Sequence, residues 1–546
     1  MRISVTFPKN IRKAIVICVL LFPAFALVAP CPTVAEQVAL PAPPPQKDRI
    51  SAMPGVYVRQ FKLEGNTIFS DQELSEITAS YENREITSEE LQDLRRKLTH
   101  LYVDKGYINS GVVIPDQKIT DHILVLRVIE GSLSNIEITG NEYFRNSYLE
   151  KRLKLGAGPP LNIFDLRESL LILQQDPRID RINAKLSPGA EKEESVLKVE
   201  VEEDLPYTIG AEVGNVVSPA IGSVRGGMHF IHDNLTGNGD ILAADVGVTT
   251  TGLADWDLAY TIPLTARDTM LSLQYRRNQS TIIETPFKNL DIESLTDTMG
   301  ITVSHPFLKR ADTEFALGLT GERRYSKTTL LGRSYSFSAG VKDGEATVTA
   351  LRFFQEYMLR SQSQVLALRS TFNLGVDTFD ASVDLPDPNG KFFAWQVQIQ
   401  FIRRLFDSDM ELAFRTNAQL SADPLLPVEK MPIGGMYSVR GYRENRLVRD
   451  NGVASSLECR IPVFYSAMGR RVLQLTPFFD YGASWNTSTP TFGQKHIYSL
   501  GLALRWDITD KIRLMTYGAI PFVKFDDADE DLQDKGFQFL IVGELF

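Results

Sequence analysis

Residues 256–262 of this chain read WDLAYTI, in which large apolar side chains alternate with Asp257, Ala259 and Thr261. A β-strand places successive side chains on opposite faces, so the pattern predicts a strand with one apolar and one polar face. The same alternation recurs, without any helical period, at residues 271–276, 366–374 and 499–507. The segment from residue 205 to residue 546 is therefore expected to consist of β-strands.

Two β-architectures share this alternation, a soluble sandwich and a membrane barrel whose strands face lipid outside and a hydrated lumen inside. Length favours the barrel, because about ten residues per tilted strand and a similar allowance for connections give about 16 strands between residues 205 and 546. The last ten residues, 537–546, read FQFLIVGELF and predict a final strand ending on an aromatic residue. We therefore predict a transmembrane β-barrel of about 16 antiparallel strands.

The part of the chain before the barrel repeats itself. FKLEGNTIF at residues 61–69 is echoed about 75 residues later by IEITGNEYF at residues 136–144. Each copy predicts a strand, a Gly-Asn turn and a helix, and helix-start signals at Thr87 and Asn162 predict a second helix in each. Both copies finish on alternating strands. The order β, α, α, β, β predicts two small α+β domains, at residues 56–131 and 132–204.

The first 35 residues carry basic side chains followed by an uncharged apolar stretch at residues 14–29. This arrangement predicts a secretory signal peptide over residues 1–35, cleaved after Ala35, with an uncleaved membrane anchor as the alternative. Residues 36–55 contain a run of prolines and predict an extended, Pro-rich linker. No later apolar run approaches the roughly 18 residues of a helical membrane span.

Composition excludes several kinds of function. The net charge of −10 makes the chain a poor ligand for nucleic acid. Removal of the signal peptide would leave Cys459 as the single remaining cysteine, so no intramolecular disulfide is expected. The six histidines show no metal-ligand spacing, and neither a phosphate loop nor a Gly-x-Ser-x-Gly or His-Glu-x-x-His motif is present. We predict no catalytic residue, metal, cofactor or nucleotide, and no enzymatic activity.

Two motifs in the predicted barrel give a specific resemblance. Residues 434–444 read GGMYSVRGYRE, and residues 478–482 read FFDYG. Together with DNLTGNGD at 233–240 and HPFLKR at 305–310, they resemble the superfamily that joins polypeptide-transport-associated (POTRA) domains to a barrel. Within it, the chain is similar to two-partner secretion transporters of the hemolysin secretion and activation type. The resemblance implies two POTRA domains in the periplasm and a 16-strand barrel in the outer membrane of a Gram-negative bacterium.

The first motif predicts a loop with an arginine at its tip, because Gly441 permits a positive φ angle beside Arg440. The resemblance implies that this loop, near residues 431–450, folds back into the lumen, where the Asp480 carboxylate can accept two hydrogen bonds from Arg440. The alternative is a solvated arginine in an ordinary turn. The predicted site comprises a loop motif and its partner on the barrel wall: Val439, Arg440, Gly441 and Tyr442, with Phe478, Asp480 and Gly482.

The resemblance also implies the function. We expect the POTRA domains to capture one secreted partner protein, large and β-helical, as it emerges unfolded in the periplasm, and the barrel, set in outer-membrane lipid, to pass it to the surface. The alternatives are a factor of the same superfamily that inserts other barrels, and a passive porin. Members of the family often carry a helix that plugs the pore, but the prolines between residues 36 and 55 argue against one here. The identity of the cargo and its binding residues are not predicted.

Overall fold

The computed structural model describes residues 2–5, 55–115, 117, 121–191, 193–250, 253–406, 408–525 and 531–545. The predicted signal peptide and Pro-rich linker lie outside these residues, apart from residues 2–5 and Gly55, and so does Phe546. The described chain divides into two compact units that meet in sequence at Asp204 and Leu205. None of its helices is long and apolar enough to cross a membrane.

The first repeat contains a three-stranded sheet with the order β3-β6-β5 and a separate pair of short strands, β2 and β4. That pair was not expected from the sequence, since three-residue strands are too short to show alternation. The elements are β2 Val56–Val58, β3 Gln60–Glu64, α1 Asp71–Thr78, β4 Arg84–Ile86, α2 Ser88–Asp104, β5 Gly111–Val113 and β6 Ile123–Ile129.

The second repeat follows the predicted order of one strand, two helices and two strands. Its sheet has the order β1-β8-β9-β7, in which β7 runs parallel to β9 and β8 runs antiparallel to it. The strand β1, Arg2–Val5, pairs with the outer edge of β8. The other elements are β7 Ser132–Thr139, α3 Asn146–Leu153, α4 Ile163–Gln174, β8 Ile179–Pro188 and β9 Glu194–Glu203.

The second helices of both repeats begin where the sequence predicts. The Thr87 hydroxyl accepts a hydrogen bond from the Glu90 N–H at 3.2 Å, and the Glu90 carboxylate accepts one from the Thr87 N–H at 2.8 Å. The Asn162 side chain accepts from the Phe164 N–H at 2.9 Å. These caps satisfy N–H groups that have no partner within the helix. Each repeat also buries its own apolar cluster, which includes Leu94 and Leu98 in the first repeat.

In the described part of the second unit, sixteen antiparallel strands close into a barrel, as predicted. Closure is made by β10 and β28, which pair from Gly210 with Glu544 to Gly214 with Leu540. A two-residue strand, β17, extends the hairpin of β16 and β18, and β22 and β23 form a separate pair that is not part of the barrel wall. The strands are β10 Tyr207–Gly214, β11 Arg225–His232, β12 Ile241–Thr249, β13 Leu253–Pro263, β14 Met270–Thr281, β15 Ile292–Lys309, β16 Thr313–Leu330, β17 Arg333–Ser334, β18 Glu345–Arg360, β19 Gln364–Val376, β20 Phe393–Arg404, β21 Glu411–Ser421, β22 Met431–Ile433, β23 Leu447–Arg449, β24 Asn451–Tyr465, β25 Arg471–Trp485, β26 His496–Asp507, β27 Ile512–Pro521 and β28 Phe537–Glu544.

The two faces of the wall differ as the alternation predicts. Trp256 and Leu258 point outward and are 60% and 49% exposed. Asp257, between them, points inward and receives a hydrogen bond from Arg276 Nη2 on the neighbouring strand at 2.6 Å. Full charges are tolerated on the inner face because they pair across adjacent strands.

The two ends of the barrel differ in the length of their connections. We call the end where β10 begins, directly after Asp204, the proximal end. Its turns are short, as at residues 310–312 and 361–363. Connections at the opposite, distal end are longer, as at residues 331–344 and 377–392, and the longest joins β21 to β24 over residues 422–450. Short turns on one side and long loops on the other are typical of outer-membrane barrels.

Candidate functional site: a loop docked inside the barrel

The connection between β21 and β24 folds back against the inner wall of the barrel. Its strands β22 and β23 pair as a small hairpin, and the turn between them carries the predicted motif at residues 434–444. The backbone at Gly441 has a φ of +89°, and a Cβ atom there would lie 3.0 Å from the Cβ of Ala519 on the wall. Glycine is favoured at this position, because a larger residue would be strained at the positive φ and crowded against Ala519.

The tip of this loop is held by the predicted pair of Arg440 and Asp480. Arg440 Nε donates to Asp480 Oδ2 at 2.7 Å, and Nη2 donates to Oδ1 at 2.8 Å. The backbone N–H of Arg440 also donates to Oδ2, at 3.0 Å. Asp480 is completely buried. A two-point contact between planar groups fixes both the position and the orientation of the guanidinium.

Three further groups on the wall complete the surroundings of Arg440. Its Nη1 lies 2.9 Å from Glu458 Oε1, and its Nη2 donates to the Ser456 hydroxyl at 2.8 Å. Its guanidinium carbon stands 3.4 Å from the centroid of the Phe478 ring, a cation–π contact. The guanidinium is therefore surrounded by acceptors and by an aromatic face, which offsets the removal of its charge from water.

The remaining residues of the predicted motif contact the same part of the wall. Val439 is buried in an apolar cluster with Ile433, and a Cβ at Gly482 would lie 2.8 Å from a methyl group of Val439. The Tyr442 hydroxyl donates to the Tyr498 carbonyl at 2.9 Å. The structure thus brings the loop motif together with Phe478, Asp480 and Gly482.

The loop makes two more charged contacts that the sequence reasoning missed. Arg443 donates to both carboxylate oxygens of Asp534, with Nη2 at 2.8 Å from Oδ2, and its Nη1 lies 2.5 Å from Glu284 Oε1. These partners belong to two different distal connections, between β27 and β28 and between β14 and β15. The loop tip is therefore tied to the distal end as well as to the wall.

Glu444 is another contact residue of the loop that the sequence reasoning missed. Its Oε1 accepts hydrogen bonds from the Met436 N–H at 2.6 Å and from Gln538 Nε2 at 3.2 Å. Burial raises the pKa of the Glu444 carboxyl to about 7, against the opposing effect of these hydrogen bonds. Its protonation therefore changes near neutral pH.

Partners such as Ser456 and Glu458 left only a weak signal in the sequence. They occupy alternate positions of β24 with Leu457 between them, so they could have been placed on the inner face. Which inward residue meets the loop depends on the strand register, which alternation does not specify. Among the described residues, no group of three or more His, Cys, Asp and Glu side chains could hold a metal ion.

Comparisons with known proteins agree on one family. Residues 193–506 match the family described as "Haemolysin secretion/activation protein ShlB/FhaC/HecB", and residues 56–131 match "POTRA domain, ShlB-type". The chain is 24% identical over 422 residues to the outer membrane transporter CdiB of Dickeya dadantii, covering 73% of this chain and 71% of that protein. It is 25% identical over 434 residues to the hemolysin transporter protein ShlB of Serratia marcescens, covering 76% of this chain and 73% of ShlB.

A solved structure shares the fold. CdiB from Escherichia coli superposes with a TM-score of 0.70 at 19% identity, covering 92% of this chain and 93% of that one.

Proposed function

Because this chain belongs to the haemolysin secretion/activation protein family ShlB/FhaC/HecB, it is a translocator of the outer membrane, and we propose that it exports one secreted partner protein taken up unfolded. Family membership confirms the resemblance drawn from the motifs at residues 434–444 and 478–482, and places the POTRA domains in the periplasm. The docked loop inside a closed barrel is the observation that carries the proposal. A passive porin would account for the barrel but not for the POTRA domain at residues 56–131.

The sheet of the second repeat supports capture by strand addition. Its edge strand β8 receives an antiparallel strand, β1, with Ile3 opposite Ala184 and Val5 opposite Ile182. Residues 2–5 belong to the predicted signal peptide, so cleavage after Ala35 would remove this strand and leave the edge of β8 unpaired. An unpaired edge offers backbone groups to any extended chain that reaches it.

The orientation of the β8 backbone identifies which N–H groups serve such an edge. The Ile182 N–H points away from β9, because it donates to Gln174 Oε1 at 2.8 Å. Since successive N–H groups point to opposite sides of a strand, the N–H of Ala184 also faces the edge. Because Gln174 already satisfies the Ile182 N–H, the Ala184 N–H is the one of these two groups that an unfolded cargo can use, whereas a folded cargo has already paired its own backbone groups.

The energetics follow from the compartment. The periplasm supplies no nucleotide, so we propose that folding of the cargo outside the cell makes its return unfavourable. The cargo is proposed to be a large protein with a β-helical pattern, which can fold progressively from the end that emerges first. The pair of Arg440 and Asp480 is proposed to hold the loop in the position that transport requires.

Secretion in a strain lacking its own copy of the transporter tests the proposal. The chain is expressed with an exported protein encoded beside it, and cargo in the medium is compared with barrel in the outer membrane. Ala184→Pro, which removes one edge N–H, is expected to lower secretion, and Ala184→Gly, which keeps it, is the matched control. Equal secretion by both variants would exclude this edge from cargo capture.

The same strain separates the alternatives. A general loss of other outer-membrane barrels on depletion of the protein, with no effect on one cargo, would indicate an assembly factor. Uptake of small solutes in a liposome swelling assay, without cargo export, would indicate a porin.

A further inference from the structure

We propose that Glu429 is a second positioning residue for translocation. It holds residues 422–430, the first arm of the lumen loop between β21 and β24, against β16 and β18. The inference rests on the proposed requirement for a docked loop. Glu429 precedes β22, so it lies at the other end of the β22–β23 hairpin from the turn that carries Arg440. Its side chain is 5% exposed although it belongs to a connecting segment.

Two arginines of the barrel wall converge on this carboxylate. Arg352 Nη2 donates to Glu429 Oε1 at 2.9 Å and to Oε2 at 3.1 Å. Arg324 Nη1 lies 3.3 Å from Glu429 Oε1 and also donates to the carbonyl of Val428. Both arginines therefore hold the loop through the Glu429 carboxylate, and Arg324 also holds it through a backbone carbonyl.

The charges on the wall explain why the loop must supply an acidic residue at this point. Arg324 and Arg352 share one wall carboxylate, Glu322, whose Oε1 accepts hydrogen bonds from them at 2.8 and 2.7 Å. Two positive charges and one negative charge leave an excess positive charge on the inner face. Glu429 balances it, and without Glu429 two partly buried guanidinium groups would repel each other across a single carboxylate, that of Glu322.

The charge that the loop itself supplies is reversed at its tip. There Arg440 of the loop meets two carboxylates of the wall, Asp480 and Glu458, the second of which also pairs with Arg460 of the wall. The two anchors cannot exchange places, because either wall would then face a like charge. Two loop residues of opposite charge, Glu429 and Arg440, therefore allow only one docked position of the loop, in the way that complementary charges select one partner at an interface.

Apolar and amide contacts show that the first arm is packed along its length. Leu425 and Leu426, just before Glu429, are fully buried against Ala346, Val348 and Ala350 of β18. Gln419 Nε2 donates to the Glu429 carbonyl at 3.0 Å and to the Asp450 carbonyl at 2.9 Å, which joins the two arms of the loop. Apolar packing stabilises the docked arm, and the ion cluster fixes its position along the wall.

A distance measurement on the purified mature protein, which lacks Cys18 and Cys31 once the predicted signal peptide is removed, tests the positioning role separately from transport. Nitroxide labels are attached to Val448→Cys in the hairpin stem and Met468→Cys in a proximal turn, in a Cys459→Ser background. Both positions are exposed, and neither supplies a charged group to the Glu429 cluster. We expect one narrow distance distribution for the parent and a broad or displaced one for Glu429→Gln, which keeps the shape of the side chain and removes its charge.

Two further variants secure the interpretation. Glu345→Gln removes an exposed ion pair with Lys327 between β16 and β18, and it is expected to leave the distance between the labels unchanged. The exchange Glu429→Arg with Arg352→Glu restores the balance of charge and is expected to narrow the distribution again. An unchanged distance distribution in Glu429→Gln would overturn the positioning role, and so would a distribution that stays broad in the exchange variant. If Glu429→Gln fails to fold, the exchange variant alone provides the test.

Secretion measured in parallel tests the proposed function. We expect Glu429→Gln to lower cargo export by about tenfold with a normal amount of inserted barrel, because most molecules no longer hold the loop in place. A displaced loop with undiminished export would refute the proposed need for docking and leave the positioning role of Glu429 intact.

Discussion

Replacing Arg440 with alanine is the most direct test of the docked loop. The substitution removes both side-chain hydrogen bonds to Asp480, the contact with Glu458 and the cation–π contact with Phe478. Glu458 keeps a partner, since Arg460 Nη2 lies 3.1 Å from it. Asp480 has no exposure to water, so its charge is left buried without its main partner.

The size of the effect follows from that buried charge. Breaking a buried ion pair by removing one partner costs about 3 to 5 kcal/mol. If this cost falls on the docked state alone, the docked-to-undocked ratio drops by about 100-fold or more, at 1.4 kcal/mol for each factor of ten. We expect secretion to be abolished or strongly reduced, while the barrel still inserts because its wall is held by strand pairing.

Companion variants distinguish the pair from its parts. Arg440→Lys is expected to rescue only partly, because an ammonium group cannot form the planar two-point contact with Asp480. Asp480→Ala should resemble Arg440→Ala, and the double variant should be hardly worse than either single variant, since both act through one contact. Arg310→Ala, which alters an exposed arginine of a proximal turn, is the control.

The assay compares cargo in the medium with heat-modifiable barrel in the outer membrane for all these variants. Additive defects in the double variant would mean that Arg440 and Asp480 act separately. Normal secretion by Arg440→Ala would refute the reasoning, because the loop would then have no part in transport.

Three further predictions concern the loop and the first unit. Gly441→Ala is expected to weaken docking by about 1 to 3 kcal/mol, because alanine at a positive φ is strained and its Cβ meets the wall. Gly469→Ala introduces the same kind of strain, at a φ of +73°, in an open turn outside the loop and should retain secretion. Loop docking can be measured with the labels at residues 448 and 468, and it should weaken as pH rises from about 4.5 to about 7. In the docked loop the raised pKa keeps the Glu444 carboxyl protonated over this range, whereas in the undocked loop the carboxyl loses its proton. The undocked state is therefore increasingly favoured as pH rises. Glu444→Gln should abolish this dependence, and a pH response that persists would assign it to another group. Residues 56–204 are expected to form a soluble, folded fragment, because each repeat buries its own cluster, and an unfolded circular dichroism spectrum would contradict the boundary at Asp204.

Some features of this protein could be predicted from the sequence because they are local. Alternation around Trp256 assigns one side of a strand to lipid without knowledge of any neighbour. The side chains of Thr87 and Asn162 cap helices that begin at the next residue, so their signals need only a few positions. The pair of Arg440 and Asp480 was predictable because both lie in recognisable motifs, although their distance of 2.7 Å had to come from the structure.

Other contacts depend on how distant segments are brought together. Glu429 meets Arg352 across 77 residues of sequence, and Arg443 meets Glu284 across 159. Their partners are set by the stagger of sixteen strands and by the path of the loop, neither of which leaves a periodic pattern. A single charge in a connecting segment is ordinarily solvated, so nothing in the sequence distinguishes these residues from exposed ones.

The contacts of Arg443 have a consequence for inhibition from outside the cell. Its partners, Glu284 and Asp534, belong to distal connections, whereas Arg440, three residues away, is held deep in the lumen. A molecule that clamps those connections together would hinder displacement of the inner loop without entering the pore. An antibody fragment that binds the two connections carrying Glu284 and Asp534 at once is therefore expected to block export from the cell surface. Because its target is the connections themselves, it would need no access to the cargo's path.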